Sequence, residues 1–262
     1  MNTSKTALIT GASGGIGLEL ARVHASKGDH LVLVARSADR LSALKSELEQ
    51  RWKVRVTFFA TDLSLPDAAR TIYNELKNQS ISVDYLINNA GFGEFGFFHE
   101  TNWEREEKMI QLNITTLTQF TKLFLKDMVA RGSGRIMNVA STAAFQPGPT
   151  MAVYYATKAY VLHFSEAVNN EVRDKGVTVT ALCPGPTESG FQEAASLKGS
   201  RLVSLRRFPS SESVAKYGYK AMMKGKAVAI HGGLNVLLTF TVRLTPRWLI
   251  VRLIRFVQGK ST

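Results

Sequence analysis

The 262-residue chain is 45% hydrophobic and 21% charged, which excludes a disordered or fibrous protein and suits one large α/β domain with a sizeable core. Its lone cysteine, Cys183, excludes an internal disulfide and fits a reducing compartment. The net charge of +12 is uneven: residues 198–262 hold 13 of the 33 Lys and Arg but one of the 21 acids, Glu212. That asymmetry is expected of a face that meets an acidic partner (a membrane surface, nucleic acid or an acidic substrate carrier), or of a solvated basic face. Residues 1–5 lead directly into an apolar run without a signal-peptide pattern, so a cytoplasmic location is expected.

Along the chain, apolar β-rich runs alternate with helical patterns. Strands are predicted at 6–10, 30–36, 54–61, 83–88, 134–139, 177–183 and 227–231. Several are continuously apolar, the pattern of strands covered by helices on both faces. Helices are predicted at 37–52, with Leu41, Leu44 and Leu48 on one face, and at 66–78, opening with Pro66. Two successive helices are expected within 101–130, and a long one at 151–175, stopped by Gly176. The alternation predicts a Rossmann-type doubly wound parallel sheet of about seven strands. No repeat or linker divides it, so residues 1–262 read as a single domain, with a core at about 5–232 and a tail at about 234–259.

The first strand runs into Thr10-Gly11-Ala12-Ser13-Gly14-Gly15-Ile16-Gly17. Glycines at 11, 15 and 17 permit a tight turn, close backbone approach to a pyrophosphate and close helix–strand packing. The helix that follows offers free N–H groups to phosphates. The second strand ends in Arg36-Ser37, with no acid before Asp39. An acid there would accept from a ribose 2′-hydroxyl; an arginine pairs instead with a 2′-phosphate, with Ser13 and Ser37 as supporting donors. The expected cofactor is therefore NADP(H).

Further along, Tyr154 and Lys158 stand four residues apart at the start of the long helix, on one face. A lysine ammonium beside a phenol favours the phenolate and is expected to lower the tyrosine pKa. Tyr155 is off this register and reads as a packing or rim residue. Ser141 ends the fifth strand, placed to hold a substrate oxygen. The five histidines and the single cysteine show no metal-ligand spacing, so no metal is expected.

Taken together, the loop at 10–17, Asn88-Asn89-Ala90-Gly91, Asn113, Ser141, Tyr154 with Lys158, and Pro184-Gly185 make the chain resemble the short-chain dehydrogenase/reductase family over about residues 5–232. The resemblance implies hydride transfer between NADP(H) and a carbonyl or alcohol carbon. It implies that Tyr154 is the acid/base, that Ser141 binds the carbonyl oxygen, and that Lys158 also binds the nicotinamide ribose. Asn113 would hold a water that links Lys158 to a proton relay. Asp62, with Leu63 beside it, would border the adenine ring. Asn89, Ala90 and Gly91 would line the adenosine and ribose region, and Pro184, Gly185 and Thr187 would flank the nicotinamide.

On the substrate side, Phe92, Phe95, Phe97 and Phe98 alternate with glycines and suit a flexible apolar lip. Family geometry would add Phe145 and Gln146, and Phe191 from a lid within 186–208. A hydrophobic ketone, aldehyde or 3-oxoacyl substrate is expected, the last carried by an acidic acyl carrier. In the tail, Thr245 is expected to N-cap a helix with Pro246 at its first position, arginines on one half and apolar residues on the other. That helix either docks on its own domain or a dimer interface, the preferred reading, or lies on an anionic membrane surface. A homo-oligomer, dimer or tetramer, is expected, and nucleic-acid binding is not, because no recognition module accompanies the charge. The alternative function is a non-catalytic NADP(H)-binding regulatory or membrane-surface scaffold protein.

Overall fold

In the computed structural model, which describes residues 4–188 and 208–259, seven strands, most of them largely buried, form one parallel sheet. In chain order these are β1 (Thr6–Thr10), β2 (His30–Ala35), β3 (Val56–Ala60), β4 (Tyr85–Asn88), β5 (Gly134–Val139), β6 (Val177–Cys183) and β7 (Val228–Ile230). Their spatial order is β3-β2-β1-β4-β5-β6-β7. The order reverses between β1 and β4, and that switch opens a crevice at the carboxyl ends of the strands. The expectation at Phe191 lies outside the described residues.

Helices cover both faces. On one side α1 (Gly15–Ala25), α2 (Ala38–Trp52) and α7 (Ser211–Met223) bury Leu20, Leu41, Leu48 and Met222 against Ile9, Leu33 and Ile87. On the other, α3 (Ala68–Asn78), α5 (Leu117–Ala130) and α6 (Ala152–Val172) bury Ile72, Phe120 and Val168 against Leu8, Val32 and Leu86. Alternate residues of β1 thus feed opposite cores, which accounts for the continuous apolar runs.

Local chemistry sets the element ends. Ser37 N-caps α2 by accepting from the Arg40 N–H. Asp67, not Pro66, precedes α3, in a left-handed conformation (φ 59°), so that helix begins two residues later than predicted. The stretch expected to hold two helices is one helical run: α4 (Trp103–Ile110), a π-helical turn at Gln111–Thr116, and α5. Gly176 ends the long helix at φ 74°, where a side chain would strike the Gly132 carbonyl.

After β7 come α8 (Gly233–Val242) and α9 (Arg247–Gln258). Thr245 does not cap α9: its hydroxyl donates back to the Thr241 carbonyl at 2.9 Å, and Pro246 takes the capping position.

Candidate active site

Thr10 organises the crevice between β1 and β4. Its hydroxyl accepts from the backbone N–H groups of Asn89 (2.9 Å) and Ala90 (3.0 Å) and donates to the Ile87 carbonyl. The Asn89 amide donates to the carbonyls of Thr10 (3.0 Å) and Gly11 (3.3 Å). These bonds lock the segment 88–91 to the phosphate loop. Gly11 and Gly15 adopt φ 67° and 54°, which favours glycine. At Gly17 a Cβ would meet the Gly11 carbonyl, so glycine is required for the close approach of α1 to the loop.

The loop fits a diphosphate. A Cβ at Gly14 would meet nothing within 4 Å, so the space before α1 is open, and the first turn of α1 has no acidic residue. Ser13 and Ile16 flank this opening, partly exposed. Arg36 is exposed just beyond β2. Across from it, burial alone would raise the Asp62 carboxyl. Hydrogen bonds from the Ser64 N–H (2.9 Å) and hydroxyl (2.7 Å), with Arg36 and Lys108 nearby, hold it below the usual carboxylate range. Leu63 is buried, and its carbonyl accepts from Thr116 at 2.8 Å.

Behind the loop, a buried polar ladder joins β4, β5 and α6. Asn88 donates to Asn138 (2.9 Å) and Thr121 (3.1 Å), and Asn138 donates to Ser165 (2.9 Å). These bonds tie β4 to β5, whose carboxyl ends carry the reactive groups.

Ser141, just after β5, accepts from the Ala143 N–H at 3.1 Å and N-caps a short 3-10 turn, Thr142–Phe145. Tyr154 and Lys158 rise from the first turns of α6, 8% and 6% exposed. The Lys158 Nζ donates to the Val139 carbonyl at 2.8 Å and lies 5.8 Å from the centre of the Tyr154 ring. Burial pushes the Tyr154 phenol up to about 12, against a smaller downward pull from its hydrogen bond with Ser141. Burial brings Lys158 down to about 8, against a smaller upward pull from Cys183. The expected depression of the tyrosine by the lysine is thus not found. The ammonium is anchored on Val139, and loss of solvent around the phenol outweighs it. A buried phenol of this kind is a proton donor at neutral pH.

Asn113 lies in the π-helical turn, 1% exposed. Its amide donates to the Phe92 carbonyl (3.0 Å) and the Thr157 hydroxyl (3.1 Å), and its oxygen accepts from the Phe92 N–H (3.3 Å). The side chain therefore ties the loop after β4 to α6 beside Lys158. Gly91 sits in the same junction, where a Cβ would meet the Asn113 oxygen at 2.9 Å and the Lys158 Nζ at 3.5 Å. Pro184 offers its carbonyl to the Thr142 N–H at 2.9 Å, and Thr187, buried, donates to the Gly185 carbonyl at 2.9 Å.

The aromatic loop is braced. Phe92 and Phe95 pack against Met109, Ala143, Met151 and Tyr154, and the Arg105 guanidinium of α4 stands 5.6 Å over Phe92 while pairing with Glu94 at 3.1 Å. Phe97 and Phe98 are exposed. Phe145 packs into the core cluster of Ala140, Val161 and Leu162, while Gln146, partly exposed, closes the 3-10 turn. Three contributors were given no role by the motif reading: Thr10, Thr157 and Gln258. Thr10 opens the glycine motif and Thr157 follows Tyr154 by three residues, so both had a positional signal. Gln258 had none; its amide donates to the Tyr155 hydroxyl and its oxygen accepts from Thr150 at 3.2 Å.

Comparison with known proteins agrees with this geometry. The family description "short chain dehydrogenase" matches residues 5–198. The very-long-chain 3-oxoacyl-CoA reductase of Homo sapiens is 30% identical over 264 residues, 98% of this chain and 80% of that protein. Among solved structures, a short-chain dehydrogenase from Sphingobium yanoikuyae in complex with NADPH superposes with a TM-score of 0.82 at 32% identity, covering 92% of this chain and 94% of that one. The bulky-bulky ketone specific alcohol dehydrogenase from Comamonas testosteroni superposes with a TM-score of 0.78 at 30% identity, covering 92% of each chain. The chain belongs to the short-chain dehydrogenase/reductase family, and it is an oxidoreductase of the kind that acts on CH–OH or C=O groups with NAD(P)(H).

Proposed function

We propose that the protein is an NADPH-dependent carbonyl reductase of hydrophobic ketones, aldehydes or 3-oxoacyl substrates. The observation that carries this reading is Tyr154: a buried phenol pushed up to about 12, hydrogen-bonded to Ser141 and placed beside Lys158. NADPH, when bound, supplies the hydride. Tyr154 then delivers its proton to the oxygen of the carbonyl undergoing reduction, and Ser141 holds that oxygen. Lys158, kept in place by Val139, supplies positive charge on the cofactor side. Phe92 and Phe95, packed on Tyr154, exclude water and favour an apolar substituent on the substrate.

The preference for NADPH rests on Arg36 at the end of β2, where no acid is available to select a 2′-hydroxyl. The substrate class is supported by the aromatic loop, by the 3-oxoacyl-CoA reductase relative and by the bulky-ketone enzyme. To test the reading, purified protein is offered NADPH or NADH with 3-oxoacyl thioesters, bulky ketones and long-chain aldehydes. Carbonyl-dependent oxidation of NADPH, well above that of NADH, is expected. Binding of NADPH without turnover on any class would overturn it.

A further inference from the structure

We propose that α8 and α9 form a docking surface for an anionic lipid bilayer. α8 is inverted relative to a soluble surface helix. Asn235 and Thr239 face the protein: Asn235 donates to the His231 carbonyl at 2.7 Å and closes on Gly185, and Thr239 is 5% exposed. Leu234, Leu237, Leu238 and Phe240 face outward, each about half exposed. In α9, Ile250 and Gln258 turn inward, eight residues apart on one face, while Trp248 and Leu253 stand exposed. Of the sixteen large apolar residues that are exposed among the described residues, eleven fall between 234 and 257. A concentration of this kind marks a surface with a partner.

Charge decides which partner. From residue 232 to the C-terminus the chain carries Arg243, Arg247, Arg252, Arg255 and Lys260, and no Asp or Glu. A second copy of this chain would bring arginines against arginines, and an isologous contact has no acid to relieve them. An anionic bilayer supplies negative head groups for the arginines and an apolar layer for the leucines. The Arg252 guanidinium lies 5.2 Å over the Trp248 ring, an arrangement suited to the boundary between head groups and acyl chains. Among the described residues no helix is long and apolar enough to cross a membrane, so the helices would lie in the surface.

The docked surface adjoins the catalytic end. α8 packs on the turn Thr142–Phe145 that follows Ser141, and α9 is fastened through Gln258 to Tyr155, next to Tyr154. Uptake of a membrane-dissolved substrate is the consequence; this part rests on the reductase reading, while docking itself does not.

The test is flotation of the full-length protein with vesicles of phosphatidylcholine alone, or with about a third phosphatidylserine, at low and high salt. The triple variant Leu237→Ser, Leu238→Ser, Trp248→Ser, all exposed positions, serves as control, with circular dichroism to verify its fold. Binding at least ten-fold greater with the anionic vesicles, weakened by salt and lost in the folded variant, is expected. Absence of binding, or equal binding by the variant, overturns the proposal. So does a particle of twice the mass that dissociates in the variant, because a second copy would then occupy the surface. Flotation without carbonyl turnover would uphold docking and defeat the reductase reading alone; turnover without flotation would do the reverse.

Discussion

The Lys158 ammonium is buried, pairs with no carboxylate among the described residues and hydrogen-bonds the Val139 carbonyl at 2.8 Å. Its folded pKa of about 8 lies below its ordinary value of 10.5. Between those values the unfolded chain holds a proton that the folded chain has released, so this group makes stability rise with pH from about 8 to 10.5. In nucleotide-free protein at pH 7, Lys158→Met should therefore raise unfolding free energy by about 1–3 kcal/mol. The gain over wild type should shrink as pH climbs through that window, as read by urea unfolding at several pH values. A gain that is independent of pH would contradict a buried, titrating lysine.

At the phosphate loop, the close approach of α1 leaves no room for a side chain at Gly17. Gly17→Ala should lower stability by about 2–4 kcal/mol and weaken nucleotide binding, since the loop and the Asn89 amide must both shift. Gly14→Ala, where a Cβ meets nothing, should leave unfolding within about 0.5 kcal/mol of wild type while still weakening nucleotide binding. Calorimetric unfolding with and without NADPH separates the two outcomes.

Cofactor choice is predicted to hang on Arg36. Arg36→Asp should cost NADPH roughly 100-fold in affinity through loss of a charge-assisted pair and gain of a repulsive one, and change NADH much less. Titration of both nucleotides checks this, and equal losses would remove the assignment.

Removal of the Gln258 side chain should loosen the end of α9. Gln258→Ala leaves the Tyr155 hydroxyl without its donor in a buried setting, at a cost of about 1–2 kcal/mol, or roughly 2–6 °C in Tm. If α9 borders the substrate entrance, KM should shift while the affinity for NADPH stays constant.

Much of the fold was legible because β2 is apolar from Leu31 to Ala35 and β1, β5 and β6 are rich in apolar and β-branched residues, with glycine, serine or proline turns just beyond their ends; the predicted and observed bounds of β1, β5 and β6 coincide. The start of α3 was misplaced because Asp67 adopts a left-handed conformation that composition does not signal. The π-helical turn at Gln111–Thr116 was invisible for a related reason: its periodicity differs from α by less than one residue per turn, yet it aims Asn113 at Phe92 and Thr157. Motif spacing pointed to Ser141, Tyr154 and Lys158, and the fold places these side chains close together. It could not show that burial outweighs the lysine in setting the phenol, since that depends on what α6 packs against. The tail was legible as amphipathic, but which face of α8 would turn inward was not: a polar face does, with Asn235 closed on Gly185 and bonded to the His231 carbonyl.

The measurement that tests the central claim most directly is NADPH oxidation by wild type and Tyr154→Phe on a 3-oxoacyl thioester or bulky ketone, with NADPH affinity measured for both. Loss of the phenolic proton should reduce kcat by about 10²–10⁴-fold and leave NADPH affinity within a few-fold. Turnover that survives the substitution unchanged would contradict Tyr154 as the proton donor.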